Sequence, residues 1–304
     1  MNNLIPPLQA GDLVSLVAPA RKVSPSEMAP ARALLQSWGL RVREPDGLYE
    51  AEGQLAGSDA HRAALLQREL DDPKVRALLC CRGGYGTVRI VDRLDFTRFA
   101  LNPKWIVGYS DATVLHSHLH ATLGLPTLHA TMPINFPAEG ENADTRSLRA
   151  ALFGQQEPPL EWQPTPHDRP GRATGTLVGG NLSILYSLLG SRSQIDTRGK
   201  ILLIEDLDEY LYHLDRMMQA LRRAGMLEGL NGLIVGHMSD MHDNSVPFGK
   251  TVPGIVLDAM AGTRCPIAFG APVGHCVGAN YAITLGRSVT LETSVSKNSC
   301  IFAP

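Results

Sequence analysis

The sequence lacks the features of a membrane or secreted protein. No run of about 18 apolar residues occurs in the 304 residues, so no segment is long and apolar enough for a transmembrane helix. Residues 1–11 have neither a basic segment nor an apolar core, so they do not resemble a secretory signal peptide. These absences predict a cytoplasmic protein that has no membrane partner.

Cysteine is scarce, and neither sign of charge dominates. The five cysteines show no C-x-x-C spacing, and the neighbours Cys80 and Cys81 lie inside an apolar run, which is typical of reduced structural thiols. The formal net charge is −2 and no basic stripe is present, which argues against a nucleic-acid partner. The composition therefore favours a small-molecule or peptide ligand.

An alternation of strand and helix patterns fills the first half of the chain. Apolar runs typical of strands occur at 12–18, 40–43, 75–81 and 105–107, and helical spacing occurs at 28–38 and 58–70. Such alternation predicts an α/β fold with a parallel, doubly wound sheet, in which ligands bind beyond the carboxyl ends of the strands.

Ser110 follows the predicted strand 105–107 and precedes a helical pattern. We expect Ser110 or Asp111 to cap that helix. A hydroxyl at a strand-to-helix turn lies beside free helix N–H groups, which can stabilise an oxyanion, so Ser110 is a candidate nucleophile. The stretch matches the G-x-S-x-G elbow only in part, because Ala112 replaces the last glycine. A plain capping serine explains the same pattern.

A glycine-rich loop, Arg-Gly-Gly-Tyr-Gly at 82–86, follows the strand 75–81. It lacks the spacing of a dinucleotide-binding loop and the Lys-Ser/Thr of a P-loop, so a nucleotide site is weakly supported. A tight turn and an anion-binding loop remain open alternatives. Because the loop and Ser110 both follow strands of one predicted sheet, the N–H groups of Gly84 and Asp111 could form an oxyanion hole.

The polar, proline-rich residues 154–172 indicate a connection between two domains. This prediction divides the chain into an N-terminal domain at 1–153, a linker at 154–172 and a C-terminal domain at 173–304. Near the end, the alternating runs at 281–285 and 288–292 indicate an antiparallel meander.

The second half offers an acid and a base. Glu205 follows the apolar strand 200–204 and begins an acidic run that ends at Glu209, for which a divalent-metal site, a solvated loop and a holder of a base carboxylate are alternatives. His275 lies in a loop after Gly274 and is a general-base candidate, although a lone histidine is more often structural. His116 and His120 have metal-ligand spacing, but no H-E-x-x-H motif accompanies them, and packed or solvated histidines explain them better.

The order Ser110, Glu205, His275 matches nucleophile, acid and base in α/β-hydrolases. Short motifs support a closer resemblance. They are R-G-G-Y-G at 82–86, G-Y-S-D-A-T at 108–113, G-G-N-L at 179–182, I-E-D at 204–206 with Asp215-Arg216-Met217, and P-V-G-H at 272–275 with Asn280. Together they resemble the LD-carboxypeptidase family of serine peptidases over about residues 12–292.

The resemblance implies a flavodoxin-like N-terminal domain, a mostly β C-terminal domain, an active site between them and a homodimer. It implies release of terminal D-alanine from murein tetrapeptides in cytoplasmic peptidoglycan recycling, with no metal or cofactor. It assigns the nucleophile to Ser110, the acid to Glu205, the base to His275, and the oxyanion hole to the N–H groups of Gly84 and Asp111.

A carboxypeptidase must also bind a free terminal carboxylate, and burial of that charge without a partner is costly. Arg82, beside the glycine-rich loop, is the nearest candidate in the sequence, and a role in bracing the loop is the alternative. Two other functions stay open. One is an immunity-type peptidase of the same family that cleaves peptide-nucleotide amides, and the other is a non-catalytic α/β protein that binds an anion or nucleotide.

Overall fold

A computed structural model describes residues 5–155, 159–276 and 279–302 and shows two sheets, each flanked by helices. In the first half, the strands are β1 (Leu13–Val17), β2 (Arg41–Arg43), β3 (Val75–Cys80), β4 (Trp105–Gly108) and β5 (Thr127–His129). The helices are α1 (Pro25–Ser37), α2 (Asp59–Asp71), α3 (Thr97–Leu101), α4 (Thr113–Leu123) and α5 (Ala143–Leu152).

The remaining strands lie in the second half of the chain. They are β6 (Leu160–Trp162), β7 (Gly171–Asn181), β8 (Ile201–Leu207), β9 (Gly232–Ser239), β10 (Ile267–Phe269), β11 (Ile283–Leu285), β12 (Ser288–Thr293) and β13 (Asn298–Phe302). The helices there are α6 (Leu182–Ser187), α7 (Leu211–Arg223) and α8 (Val252–Ala259).

The first sheet has the strand order β11-β5-β4-β3-β1-β2. Strands β1 to β5 are mutually parallel, and their order is that of flavodoxin-like folds. Strands β3 and β4 are almost wholly buried because helices cover both faces of the sheet, which explains their continuous apolar sequences. Ser58 caps α2 as its position before the helical pattern suggests, by accepting a hydrogen bond from His61 N.

The second sheet has the order β10-β9-β8-β7-β12-β13-β6. Its strands β7 to β10 are parallel, whereas β12, β13 and β6 are joined to the sheet by antiparallel pairing. The helices α6, α7 and α8 pack on the parallel half around an apolar core that includes Leu202, Met217 and Leu233. The predicted α/β fold class with two domains is confirmed.

One expectation for the second half needs correction, and the predicted domain bounds stay a prediction. The predicted meander is wrong, because β11 pairs with β5 in the first sheet while β12 pairs with β7 and β13 in the second. Gly286, with φ of +84°, separates β11 from β12 and lets the chain change sheets there. The segment predicted as a linker contains β6, which pairs with β13. In the part of the chain described here, no helix is long and apolar enough to cross a membrane.

Candidate active site

Ser110 lies directly beyond β4, in a short 3-10 turn formed by Ser110–Ala112 that leads into α4. Its φ is +60°, a left-handed conformation that is uncommon for a residue other than glycine. Such conformations persist where the surrounding structure enforces them, often at functional sites. The expected capping role is wrong, because the side chain of neither Ser110 nor Asp111 caps a helix, and the N-cap of α4 is Ala112.

The glycine-rich loop packs directly against Ser110. A Cβ atom at Gly83 would lie 2.7 Å from Ser110 Oγ, a distance at which one of the two must move. The buried side chain of Asp111 accepts a hydrogen bond from Thr87 N at 3.0 Å, which ties the end of the loop to the turn after β4. The two segments that carry the predicted oxyanion-hole residues, Gly84 in the loop and Asp111 in the turn, therefore pack against each other.

Glu205 and His275 form a direct hydrogen bond. The distance from His275 Nδ1 to Glu205 Oε2 is 2.6 Å, and the Glu205 side chain is fully buried. The side chain of His275 keeps 12% of its exposure, so one edge of the imidazole remains open. The structure thus joins two residues that lie 70 positions apart in the sequence.

Small residues make room for the Glu205 carboxylate. The pairing of β8 with β9 shifts register between Ile204 and Asp206, so Glu205 sits at an irregularity that turns its side chain. A Cβ atom at Gly274 would lie 2.6 Å from Glu205 Oε2, and one at Gly236 would lie 3.2 Å from Glu205 Cβ. Glycine at both positions therefore keeps the space that the carboxylate occupies.

Three contacts fix the loop that carries His275. Ser239 Oγ donates to the His275 carbonyl at 2.5 Å, and Gly274 N donates to Asn280 Oδ1 at 2.9 Å. The Tyr109 ring lies 4.6 Å from the His275 ring, centre to centre. Because Tyr109 immediately precedes Ser110, this contact places the turn after β4 beside the imidazole.

The charges of the site are set by burial and by imidazole contacts. Burial alone would raise the pKa of Glu205, but the nearby His129 and His275 outweigh it and lower that pKa to about 2. Burial together with the Glu205 charge raises the pKa of Tyr109 to about 12 and that of Asp206 to about 7. Glu205 is therefore a carboxylate at neutral pH, and Tyr109 is a neutral phenol.

His129 is a site residue that the sequence analysis did not single out. It ends β5, is fully buried, and places Nε2 at 3.8 Å from Glu205 Oε1. A signal was available, because the strand Thr127–His129 ends in a polar residue at the sheet edge where Ser110 lies. That strand is too short to be recognised with ease from its sequence.

Ser110 lies near His275 because the preceding residue, Tyr109, contacts the His275 ring, but no hydrogen bond joins Ser110 Oγ to His275. Among the residues that the structure describes, none hydrogen-bonds to the Ser110 hydroxyl. Hydrogen bonds between catalytic groups are often long before substrate binds, so this geometry is compatible with proton transfer in a complex.

A cavity of about 190 Å³ lies beside His275. It is lined by Tyr109, Thr131, Asn135, Asp144, Leu207, His275, Cys276 and Asn280. A larger cavity, about 660 Å³, is lined by residues that include Asn231 and Pro266, at the amino ends of β9 and β10. We assign the ligand to the smaller cavity, because ligands of parallel sheets bind at the carboxyl ends of the strands.

Arg82, the predicted carboxylate-binding residue, forms an ion pair with Glu27 of α1 at 3.3 Å, and about a third of its side chain is exposed. It is not among the residues that line the cavity beside His275. The aliphatic part of another cation, Arg21, lies against Gly84. The structure therefore places two arginines near the glycine-rich loop, of which the sequence analysis considered one.

The remaining polar candidates have separate partners. In the acidic run, Asp206 accepts from Asn181, Asp208 contacts His242, and Glu209 contacts His213. His116 Nε2 contacts Gly108 O and His120 Nε2 contacts Lys200 Nζ, and burial lowers their pKa values to about 3 and about 4. Within the described ranges, no group of three or more potential ligands is arranged to hold a metal ion.

Comparison with known proteins gives consistent matches over both halves of the chain. Residues 14–130 match the LD-carboxypeptidase N-terminal domain, and residues 174–291 match the LD-carboxypeptidase C-terminal domain. A relative from Bacillus subtilis (strain 168), named a probable murein peptide carboxypeptidase, is 36% identical over 94% of this chain and 91% of its own length.

Solved structures show the same architecture. The crystal structure of muramoyltetrapeptide carboxypeptidase from Oxalobacter formigenes has a TM-score of 0.85 and 26% identity, and the match covers 96% of this chain and 99% of that one. MccF in complex with glutamyl sulfamoyl guanosine has a TM-score of 0.84 at 20% identity, and the match covers 98% of each chain. At that identity the second likeness concerns the fold alone.

Proposed function

The chain belongs to the LD-carboxypeptidase family of serine peptidases and is a serine-type LD-carboxypeptidase, and on this basis we propose that it releases terminal D-alanine from murein tetrapeptides. The bond cleaved is the amide between an L-centre and the D-residue. The names of the relatives from Bacillus subtilis and Oxalobacter formigenes support a murein peptide as the substrate class.

The observation that carries the assignment of roles is the hydrogen bond between His275 Nδ1 and Glu205 Oε2. A carboxylate on Nδ1 keeps the proton on that nitrogen and leaves Nε2 free to accept another proton. It also stabilises the imidazolium that then forms. Glu205 is the orienting acid, His275 is the general base, and Ser110 is the nucleophile at the adjacent turn.

In the first step, the Ser110 hydroxyl attacks the carbonyl carbon of the scissile bond while His275 Nε2 accepts its proton. The negative charge that develops on the carbonyl oxygen is bound by the N–H groups of Gly84 and Asp111. The intermediate then collapses to an acyl-enzyme, and His275 donates the proton to the leaving amine of D-alanine. Water, activated by the same imidazole, hydrolyses the acyl-enzyme.

The left-handed backbone of Ser110 supports its role as the nucleophile. With φ of +60°, the residue lifts its side chain out of the line of β4 at the carboxyl edge of the sheet. The glycine-rich loop passes close enough that Gly83 has no space for a side chain beside Ser110 Oγ. Ser110 Oγ and the N–H groups of the loop can therefore act on the carbon and the oxygen of the same carbonyl group.

Arg82 remains our candidate for the substrate carboxylate. Its ion pair with Glu27 is exposed, and exposed pairs contribute about 0–1 kcal/mol, so a substrate carboxylate can replace Glu27 at little cost. A bidentate contact between guanidinium and carboxylate is stronger than this pair. We further propose a cytoplasmic homodimer that acts in peptidoglycan recycling, testable by cell fractionation and by sedimentation.

The test is incubation of the protein with matched peptides that end in an L,D- or a D,D-bond, with released D-alanine as the readout. We expect release from the L,D-terminated tetrapeptide and slower or no release from the D,D-terminated pentapeptide. Faster release from the pentapeptide would contradict the proposal. Cleavage of an aminoacyl sulfamoyl nucleoside in preference to both would show an immunity-type peptidase, the alternative that the fold of MccF leaves open.

A further inference from the structure

His129 is a buried histidine whose imidazole forms no hydrogen bond with any other described residue. Both ring nitrogens are shielded from solvent and lack partners, and the same is true of Glu205 Oε1. The distance from His129 Nε2 to Glu205 Oε1 is 3.8 Å. An N–H···O hydrogen bond is typically about 2.9 Å long, so a movement of about 1 Å would join these two atoms. Because unpaired buried polar atoms are unfavourable, the pairing is favoured.

The carboxylate of Glu205 lies between two imidazoles that reach it from different parts of the fold. Oε2 accepts from His275 Nδ1 at 2.6 Å, and Oε1 faces His129. His129 belongs to the first sheet, where it pairs in register with Gly108 of β4, two residues before Ser110. Glu205 belongs to β8 of the second sheet. The contact therefore links the acid to the sheet that carries the nucleophile.

His116 shows what an ordinary core histidine looks like in the same region. Its ring lies 6.4 Å from that of His129, and its Nε2 is satisfied by the carbonyl of Gly108 at 2.9 Å. Nε2 of His129 faces a carboxylate oxygen that has no hydrogen-bond partner among the described residues. The chemistry of the second contact favours a proton on His129 Nε2 that is donated to the carboxylate.

We propose that His129 is a positioning residue of the reaction, which donates a hydrogen bond from Nε2 to Glu205 Oε1. This bond fixes the rotation of the carboxylate so that Oε2 stays directed at His275 Nδ1. It also fixes the distance between the acid–base pair and Ser110. The inference rests on the proposed roles of Ser110, Glu205 and His275. His129 itself touches neither substrate nor the reacting atoms.

The experiment compares two replacements at His129 with one control. His129→Gln keeps an N–H group near the position of Nε2, whereas His129→Phe keeps the ring volume and removes the donor. His118→Phe is the matched control, because His118, on α4, is also buried, but its Nδ1 contacts Ser193 Oγ at 2.9 Å and not a residue of the site. Thermal unfolding of all the variants separates loss of fold from loss of function.

The main readout is the rate at which a fluorophosphonate labels the active serine, because this rate depends on activation of the hydroxyl and not on the natural substrate. We expect His129→Phe to lower it by about 10- to 100-fold, as replacement of a residue that hydrogen-bonds to a metal ligand does at metal sites. His129→Gln and His118→Phe should stay within about threefold of the wild type. With a cleavable peptide, kcat should fall in the Phe variant while KM stays constant.

Labelling of folded His129→Phe at the wild-type rate would overturn the proposal, and so would a loss that appears in KM alone. If His129→Phe does not fold, the ¹⁵N chemical shifts of the wild-type imidazole decide, with His129→Gln used to assign the signals. A proton on Nε2 supports the proposal, and a bare Nε2 overturns it. Wild-type protein that is labelled at Ser110 yet releases no D-alanine would contradict the proposed substrate, not the role of His129.

Discussion

Replacement of Glu205 by glutamine should remove a large part of the pH dependence of folding. The pKa of Glu205 is about 2 in the folded protein, compared with an ordinary value of 4.5. The difference is about 2.5 pH units, and at about 1.4 kcal/mol for each unit the ionised carboxylate stabilises the folded state by about 3 kcal/mol at neutral pH.

The sign of the effect follows from the lowered pKa. A carboxylate that is more acidic in the folded protein contributes its full stabilisation above pH 4.5 and loses it as the pH falls toward 2. About 2 kcal/mol of the contribution should be lost between pH 7 and pH 3. A glutamine at this position binds no proton over that range, so the variant should lack this loss.

The measurement is urea unfolding of the wild type and Glu205→Gln at pH 7, 5, 4 and 3. The buried residues Trp38, Trp105 and Trp162 provide the fluorescence signal. The quantity of interest is the difference in unfolding free energy between the two proteins, because titratable groups away from the site contribute equally to both proteins and cancel. We expect that difference to narrow by about 2 kcal/mol from pH 7 to pH 3. A difference that does not change with pH would refute the argument.

Four further outcomes follow from the site. Ser110→Ala should fold normally and lose at least about 10³-fold in D-alanine release, and substantial residual activity would exclude Ser110 as the nucleophile. Gly83→Ala should lower kcat about tenfold or more and reduce thermal stability, because the new Cβ would lie 2.7 Å from both Cβ and Oγ of Ser110; unchanged kcat would contradict the close approach of the loop. Arg82→Lys should raise KM for free-acid peptides by about tenfold or more and hardly affect C-terminally amidated analogues, whereas equal effects on both would show a bracing role. EDTA should leave hydrolysis unchanged, and inactivation that zinc reverses would contradict a serine mechanism.

Much of the site could be predicted because a parallel sheet gathers its loops at one edge. Ser110, the loop at 82–86 and Glu205 each follow an apolar strand, so their positions follow from local patterns and one general rule. His275 required more, since nothing local distinguishes it from a structural histidine. The resemblance predicts it as the base, and the structure pairs it with Glu205, which lies 70 positions earlier in the chain.

Other features depend on contacts between distant segments, and local sequence patterns do not predict them. Ser110 and Asp111 are good capping residues by type, but Asp111 bonds to Thr87 and neither caps α4. His129 lies in a three-residue strand whose buried surroundings come from the second sheet. The run at 281–285 has the alternation of a meander strand, yet it pairs with β5, because pairing partners are chosen by tertiary packing.

The position of β11 also bears on how the protein is made. The strand Ile283–Leu285 covers the edge of β5, which ends at His129, so more than 150 residues must be synthesised after β5 before its neighbour exists. At about 5–20 residues per second, this takes roughly 8–30 s on the ribosome. During that interval the nascent N-terminal sheet has an open edge at β5 that can pair with another chain. Ser110 is therefore synthesised well before the sheet that carries it is complete, and peptidase activity should begin only after His275 and β11 have been synthesised.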